Sequence, residues 1–453
     1  MAHSRQAISA FRYGFGFGLG DQPVDANGLL EHLKPAQEGL PIATPMPTAD
    51  RFALFNEFNF NRRARNRRKD GGEARLKATK AALNETKFQD FKRLLIRATY
   101  SRHSFRERLS WFWTDHFTTA ANNTALVLIV PDMIDTAIRS NLGNTFAAML
   151  KAVTLHPAML IYLNQKDSVG PNSQTGLRRK RGLNENLARE LLELHTLGVG
   201  AGYSQNDVRQ LAELLTGLMI DKNGFIFRAD TAEPGAEQIL GKSYGGEEEA
   251  NLDSITLFLN DLALRPETAR HITKKLAVHF ISPEPDTTLI DVMTDTYLST
   301  GSDLRAVYKT MLEHPAAWID LGAKIRQPFE FVVASARALK IKDDVISGLT
   351  NKQVVTELWD PLRQMGQMPL RPLGPDGWSE DAADWITPPS LAARIIWGSK
   401  MASRYGPEHD PNRFVETTLG SIASTSLRLA VARAASRSEA ISLVLASPEF
   451  NRR

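Results

Sequence analysis

The chain reads as mainly α: a large multi-helix globular protein with a small β-hairpin near residues 218–228. Three observations predict this. Apolar residues recur at helical spacing through most of the sequence. Ser, Thr, Pro and Gly stand where helices should start and stop. Two short apolar segments flank Lys222-Asn223-Gly224, a hairpin signal. At 453 residues the chain is longer than one hydrophobic core usually serves. Three regions are expected, packed as one body: an N-terminal helical region over 1–130, a central region over 131–250 with an acid-rich helix and the hairpin, and a C-terminal helical region over 251–453.

In chain order, a short helix begins near residue 6 and breaks at Gly14, Gly16, Gly18 and Gly20. Residues 35–48, rich in Pro, Gly and Thr, predict a loop. Helix resumes at Ala49 and passes through a basic run (Arg62, Arg63, Arg65, Arg67, Arg68, Lys69) to a break at Gly71–Gly72. Further helices are expected over 73–102, 104–118, 131–152 and 157–164, followed by a polar loop over 165–182. The helix over 184–197 is ended by Gly198 and Gly200, and Ser204 caps the next, from Gln205 to about Thr216. After the hairpin comes a loop over 229–250. The remainder predicts helices near 251–264, 266–281, 286–300, 302–314, 328–341, 351–365, 388–404, 411–418 and 435–446. A long loop, 366–387, carries Trp378 and Trp385, and loops of that length in compact proteins are often functional.

Hydrophobic content of 42% and charged content of 23% exclude bulk disorder. With no cysteine, disulfides, thiolate metal sites and cysteine nucleophiles are excluded. A net charge of +4 gives no ground for nucleic-acid binding, and no apolar run has the length of a membrane span. The N-terminus lacks the apolar stretch of a signal peptide, so the cytoplasm is the default compartment and the periplasm the alternative.

The helix over 184–197 carries the main functional signal. At about 100° per residue, Glu185, Asn186, Arg189, Glu190, Glu193 and Thr196 share one arc, while the leucines and His195 fall opposite. Glu190 and Glu193 are i,i+3 neighbours, and adjacent carboxylates can split their pKa values, as general acid–base chemistry requires. The plainer reading is the solvated face of an amphipathic helix, with His195 a core residue. Arg178, Arg179, Lys180 and Arg181, just before this helix, either attract an anionic ligand or pair with its acids. Trp111-Phe-Trp-Thr-Asp-His-Phe117 offers aromatic rings beside Asp115 and His116, either a sugar platform or an aromatic core. His271 and His279 could share a helix face, but no diagnostic metal spacing is present, and no metal or other cofactor is expected. The basic run reads as a solvated face or as a contact for an acidic polymer. The glycines at 14–20 follow no predicted strand, which excludes a dinucleotide fingerprint.

The run Asn184-Glu-Asn-Leu-Ala-Arg-Glu-Leu-Leu-Glu-Leu-His-Thr-Leu-Gly198, followed by Gly202-Tyr203-Ser204-Gln205 and Asp207-Val208, resembles the signature of a bacterial family known as domain of unknown function 1800. Glu107-Arg108-Leu109 with Trp113, His116 and Phe117 is similar to it too, as are His156-Pro157-Ala158-Met159, Gly170-Pro171-Asn172-Ser173, Leu215-Thr216-Gly217, Leu240-Gly241, Lys275-Leu276-Ala277 with His279-Phe280, Asp303-Leu304-Arg305, Met365-Gly366-Gln367, Pro375 with Gly377-Trp378, and Ser447-Pro448-Glu449-Phe450. The resemblance implies a bacterial protein of unassigned activity, often encoded beside a sulfatase-like family, domain of unknown function 1501. Many relatives carry export signals, and several have a His-Asp pair after the hairpin where this chain has Arg228-Ala-Asp230.

Two functional expectations follow. One is a carboxylate-based hydrolase or lyase acting on a polysaccharide or cell-envelope polymer. Its catalytic residues would be Glu190, Glu193, His116 and Asp115, and its substrate-binding residues Arg189, Asn186, Asn184, Trp113 and Trp378. The other is a non-catalytic binding or assembly partner of the sulfatase-like protein. They differ in whether Glu190 and Glu193 face an open cleft or are clamped by arginines.

Overall fold

Helix starts are fixed by side chains that take the orphan amides of the first turn. Asn123 accepts from Ala125 and Leu126, Thr145 from Ala148, and Ser204 forms a reciprocal capping box with Asp207. These caps belong to a mainly α architecture, given by a computed structural model that describes residues 3–18, 23–34, 44–67, 71–179, 182–246, 250–319 and 321–453. Gly20, most of the loop expected over 35–48, Arg68, Lys69, Lys180 and Arg181 lie outside the described residues.

The expected helices form at Thr48–Asn66, Gly72–Tyr100, Ser104–His116, Pro157–Tyr162 and Gln205–Leu214. In the C-terminal part they run over Leu252–Ala263, Pro266–Phe280, Thr287–Ser299, Leu304–Glu313, Pro328–Ala338, Pro388–Tyr405, Pro411–Thr418 and Arg437–Ala446. Arg62, Arg63, Arg65 and Arg67 are exposed, a solvated helix end.

Several expectations are corrected: the polar loop expected over 165–182 holds a helix at Gln174–Arg179. The helix expected over 131–152 is two helices, Thr124–Met133 and Phe146–Thr154. The first passes through Pro131, loosens into a π-turn over Ile134–Ile138, and the chain restarts at the Thr145 cap after Gly143. The region expected as loop over 229–250 holds a second hairpin, β3 (Gly235–Ile239) paired with β4 (Lys242–Gly246), beside the expected β1 (Leu218–Asp221) and β2 (Gly224–Phe227). Its turn residues, Leu240 and Gly241, both have positive φ (53° and 81°), the geometry of a tight hairpin turn. Leucine disfavours that geometry, so no Asn-Gly signal advertised the turn. A helix over Thr425–Ala432, with no counterpart in the sequence reading, is capped by Ser424.

Buried apolar side chains gather into two clusters. One draws on the aromatic helix Ser104–His116 through Phe105, Leu109, Phe112 and Trp113, and on helices as far as Ala317. The other is built on Phe329–Leu339 and the C-terminal helices, with Phe88, Phe91, Leu95 and Trp111 packed into it. The aromatic helix therefore lies in the seam, Trp111 stacking on Phe329 at 4.3 Å while its neighbours face the other core.

The seam is polar. Glu330, fully buried, is clamped between Arg108 and Arg453, the latter at 3.0 Å. Burial alone would raise its pKa, but the two guanidiniums outweigh it and bring it to about 2. The folded value lies below the unfolded one, so this stabilisation is fully present above about pH 4.5 and is lost as pH falls toward 2. Glu330→Ala leaves two guanidiniums buried without their partner. Urea unfolding at pH 7 should show a loss of roughly 3–5 kcal/mol, and an unchanged midpoint would contradict this account of the seam.

Candidate functional site

Where the seam opens, Phe112, Asp115, His116, His271, Lys274, Lys275, Val278, Asp376, Trp378 and Glu380 line a cavity of about 240 Å³. The C-terminal end of the aromatic helix supplies Asp115 and His116. One face of the helix Pro266–Phe280 supplies His271 and Lys275, four residues apart. The loop over 366–387 supplies Asp376, Trp378 and Glu380.

That loop is pinned at several points. The Ala121 amide donates to the Leu370 carbonyl at 2.8 Å, and Trp385 Nε1 to the Ser379 carbonyl at 2.8 Å. The Trp378 amide donates to both Asp115 carboxylate oxygens, at 2.9 and 3.2 Å. Gly377 makes this approach possible: its φ is +87°, and a Cβ there would lie 2.9 Å from Asp115 Cγ. Glu380 accepts from His279 Nδ1 at 2.5 Å and pairs with Lys324 at 2.6 Å. Burial works against the charge of Glu380, but His279, Lys324 and Arg453 hold its pKa well below the usual range. His279 Nε2 in turn lies 3.1 Å from Arg108 Nη2, which links the cavity wall to the Arg108–Glu330–Arg453 clamp.

The motif helix explains the histidines. Its α-helical part is only Asn186–Glu190, and Leu191–Thr196 winds as a π-turn. Thr196 Oγ1 donates to the Leu191 carbonyl at 2.6 Å, and the Leu197 amide to the Leu192 carbonyl at 3.0 Å. Two carbonyls at the end of the turn take imidazoles instead: His116 Nε2 lies 3.2 Å from the His195 oxygen, and His271 Nε2 3.2 Å from the Leu194 oxygen. A carbonyl only accepts, so each Nε2 carries the proton. His116 Nδ1 is then a buried lone pair, with no hydrogen-bond partner. The Gly198 ending (φ +94°) is what lets His271 approach, since a Cβ there would be 2.8 Å from its Nδ1.

Burial sets the protonation states. It pushes the Asp115 carboxyl up to about 7, against the opposing pull of the Trp378 amide and Lys275. Burial lowers Lys275 despite Asp115, Glu380 and Asp376 nearby. Burial and the Lys275 charge hold His116 well below its usual value, His195 at about 3 and His271 at about 4. At neutral pH the cavity therefore presents neutral imidazoles, a carboxyl near its midpoint and an amine of weakened basicity. Such values collect where acid–base chemistry is done.

The expected site residues divide. Asp115, His116 and Trp378 are brought together at the cavity. Glu190 and Glu193 are half-buried outside its lining, and among the described residues no arginine bridges either one. Burial and the Glu193 charge raise the Glu190 pKa, with a smaller contribution from Asp376, so the stripe reaches toward the loop side of the cavity. Arg189 is occupied by Glu185 at 3.4 Å and Gln205 at 3.0 Å. Asn184 accepts locally from the Asn186 amide at 2.9 Å, and Asn186 is exposed. Neither asparagine lines the cavity. Trp113 is a correction: it is fully buried, donating Nε1 to the Tyr308 hydroxyl at 2.7 Å, and belongs to the first core. Thr196 is a second, because the π-turn advances the chain by less angle per residue than an α-helix and swings it from the expected polar arc into the interior. His271, Lys275, Asp376 and Glu380 were not among the expected site residues. The signals that touched them were the helix face expected to be shared by His271 and His279, the family-like run beginning at Lys275, and the length of the loop that carries Asp376 and Glu380. Among the described residues no group of three or more His, Asp and Glu is arranged to hold a metal ion, and no helix is long and apolar enough to cross a membrane.

Fold and site together define a mainly helical protein with an enclosed acid–base cluster in the seam between two cores. The chain belongs to the family described as protein of unknown function, DUF1800, whose pattern matches residues 15–452. No curated protein and no solved structure was found to match it.

The Asp115 pKa is raised on folding, so the native state keeps a proton that the unfolded chain has lost. This stabilises at low pH and fades as pH rises through about 7. Asp115→Asn should therefore lose less of its melting temperature between pH 5 and pH 8 than the wild type does. Parallel melting curves across that range would show that Asp115 is not desolvated.

Proposed function

We propose that this protein is an acid–base hydrolase or lyase that acts on a polysaccharide or cell-envelope polymer. The supporting observation is the Asp115 carboxyl: it stands near half-protonation at neutral pH and borders the cavity shared with Lys275 and the neutral His116. A carboxyl with a pKa near the working pH is suited to give a proton to a departing oxygen. Trp378, half-buried in the cavity wall and 5.9 Å from Trp385, offers the apolar face on which a sugar ring packs.

The cavity, about 240 Å³, is below the roughly 300–1,000 Å³ of drug-sized ligand sites. It suits one ring-sized unit of a longer chain, with the remainder lying outward past Asp376 and the Glu190–Glu193 stripe. The rim carboxylates orient that chain or activate a water molecule, while the proton comes from Asp115.

Purified wild type and Asp115→Asn should be assayed against a panel of bacterial glycans, following new reducing ends and new conjugated double bonds. Wild type should turn over at least one member, and Asp115→Asn should be slower by roughly 10²–10⁴-fold. Glu190→Gln, outside the cavity lining, should cost much less. The absence of wild-type turnover on every glycan would overturn the proposal.

A further inference from the structure

We infer that Lys275 is a carbonyl-capturing amine: the cavity admits an aldehyde or ketone and holds it as an iminium on Lys275 Nζ.

The argument starts from how this protein treats its other enclosed lysines. Lys92 Nζ donates to the carbonyls of Ser347 and Leu349 at 2.8 and 3.1 Å. Lys324 Nζ donates to the Val278 carbonyl at 2.6 Å and pairs with Glu380 at 2.6 Å. Lys275 borders the cavity and, among the described residues, has neither a hydrogen bond nor an ion pair. The acids around it are occupied or turned outward: Asp115 by the Trp378 amide, Glu380 by His279 and Lys324, and Asp376 on the exposed rim. From the other sides His116, His195 and His271 face it, all neutral. A structural lysine in such a place would be paired. One left without a partner beside an open space is set up as a nucleophile, and burial, which weakens its basicity, favours the neutral amine. An ordinary lysine is neutral in only about one molecule in 2,500 at pH 7, and weakened basicity raises that fraction.

The neighbours supply the remaining parts. The Nζ lone pair attacks the carbonyl carbon, and the carbonyl π pair moves to oxygen, which takes the Asp115 carboxyl proton. The Asp115 carboxylate then removes a proton from the ammonium nitrogen, leaving a neutral carbinolamine. The nitrogen lone pair next expels the hydroxyl, which leaves as water with that same proton. The products are one iminium, one water and an Asp115 carboxylate that pairs with the new cation. His116, on the same cavity wall, is neutral and does not compete with Asp115 for the proton.

Capture can be read without any turnover, so it stands or falls separately from the glycan assay. The full chain would be incubated near pH 7 with sodium cyanoborohydride and glycolaldehyde, acetone or pyruvate, each in turn. Reduced adducts would then be located by peptide fragmentation mass spectrometry. Lys274, exposed and adjacent in sequence, is the internal reference. Lys275 should be labelled about tenfold faster or more than Lys274 with at least one probe, as expected of a desolvated amine nucleophile. Lys275→Arg should lose the fast adduct while keeping its melting temperature, and Asp115→Asn should slow it. If Lys275→Arg does not fold, the ratio in the wild type decides alone. Labelling of Lys275 no faster than Lys274 with every probe would overturn the inference.

Discussion

The rest of the structure depends on one buried carboxylate, Glu330, held between Arg108 and Arg453 where two apolar cores meet. Two cores can be joined by apolar contact alone, and such contact permits sliding. A clamp of one acid and two guanidiniums does not, because displacing any member strands a charge away from water. The residues it ties are distant in sequence: Arg108 on the aromatic helix, Glu330 at the start of Pro328–Ala338, and Arg453 beside the strand-like pairing of Ile325 with Arg452. The Arg453 amide and carbonyl are themselves engaged by Lys324, so the clamp is fixed by backbone as well as by charge.

The same network reaches the cavity. Arg108 contacts His279, His279 contacts Glu380, and Glu380 meets Lys324 and forms part of the cavity wall. Glu380 is thus kept ionised and occupied, while burial raises Asp115, at the end of the aromatic helix, toward protonation against the pull of the Trp378 amide and Lys275. Two carboxylates in one cavity are driven apart by their surroundings, one by cations and the other by desolvation. This division places exchangeable protons on Asp115 and structural charge on Glu380.

The π-turn is the other local device. An ordinary α-helix over Asn186–Thr196 would direct Thr196 outward with the acids. The wider winding turns it inward, where its hydroxyl closes the turn, and leaves the Leu194 and His195 carbonyls to fix the tautomers of His271 and His116. The polar stripe and the imidazole pair are therefore two sides of one irregular element. The glutamates that draw attention in the sequence stand outside the cavity lining, and the backbone behind them orients the groups that line the cavity.

Much of the fold was legible in the sequence. Helical periodicity, the Ser204 cap and the Lys222-Asn223-Gly224 turn are local signals, governed by backbone sterics and first-turn amides within a few residues; the Asn123 and Thr145 caps went unread, and with them the break between two helices. Asp115, His116 and Trp378 were also marked by residue type. The second hairpin was hidden because Leu240 takes a positive φ that its side chain disfavours, so only packing selects it. Trp113 looked like a platform because sequence does not say which side of an aromatic helix meets a core.

By itself the sequence determined the helical class, most element boundaries, the exclusion of thiol chemistry and the presence of an unusual acid-rich helix. Tertiary structure alone decided which titratable groups share one cavity. Lys275 and Glu380 lie more than a hundred residues apart, and Asp115 further still. Their protonation is set by how much water and which charges surround them, and those are properties of packing, not of neighbours along the chain.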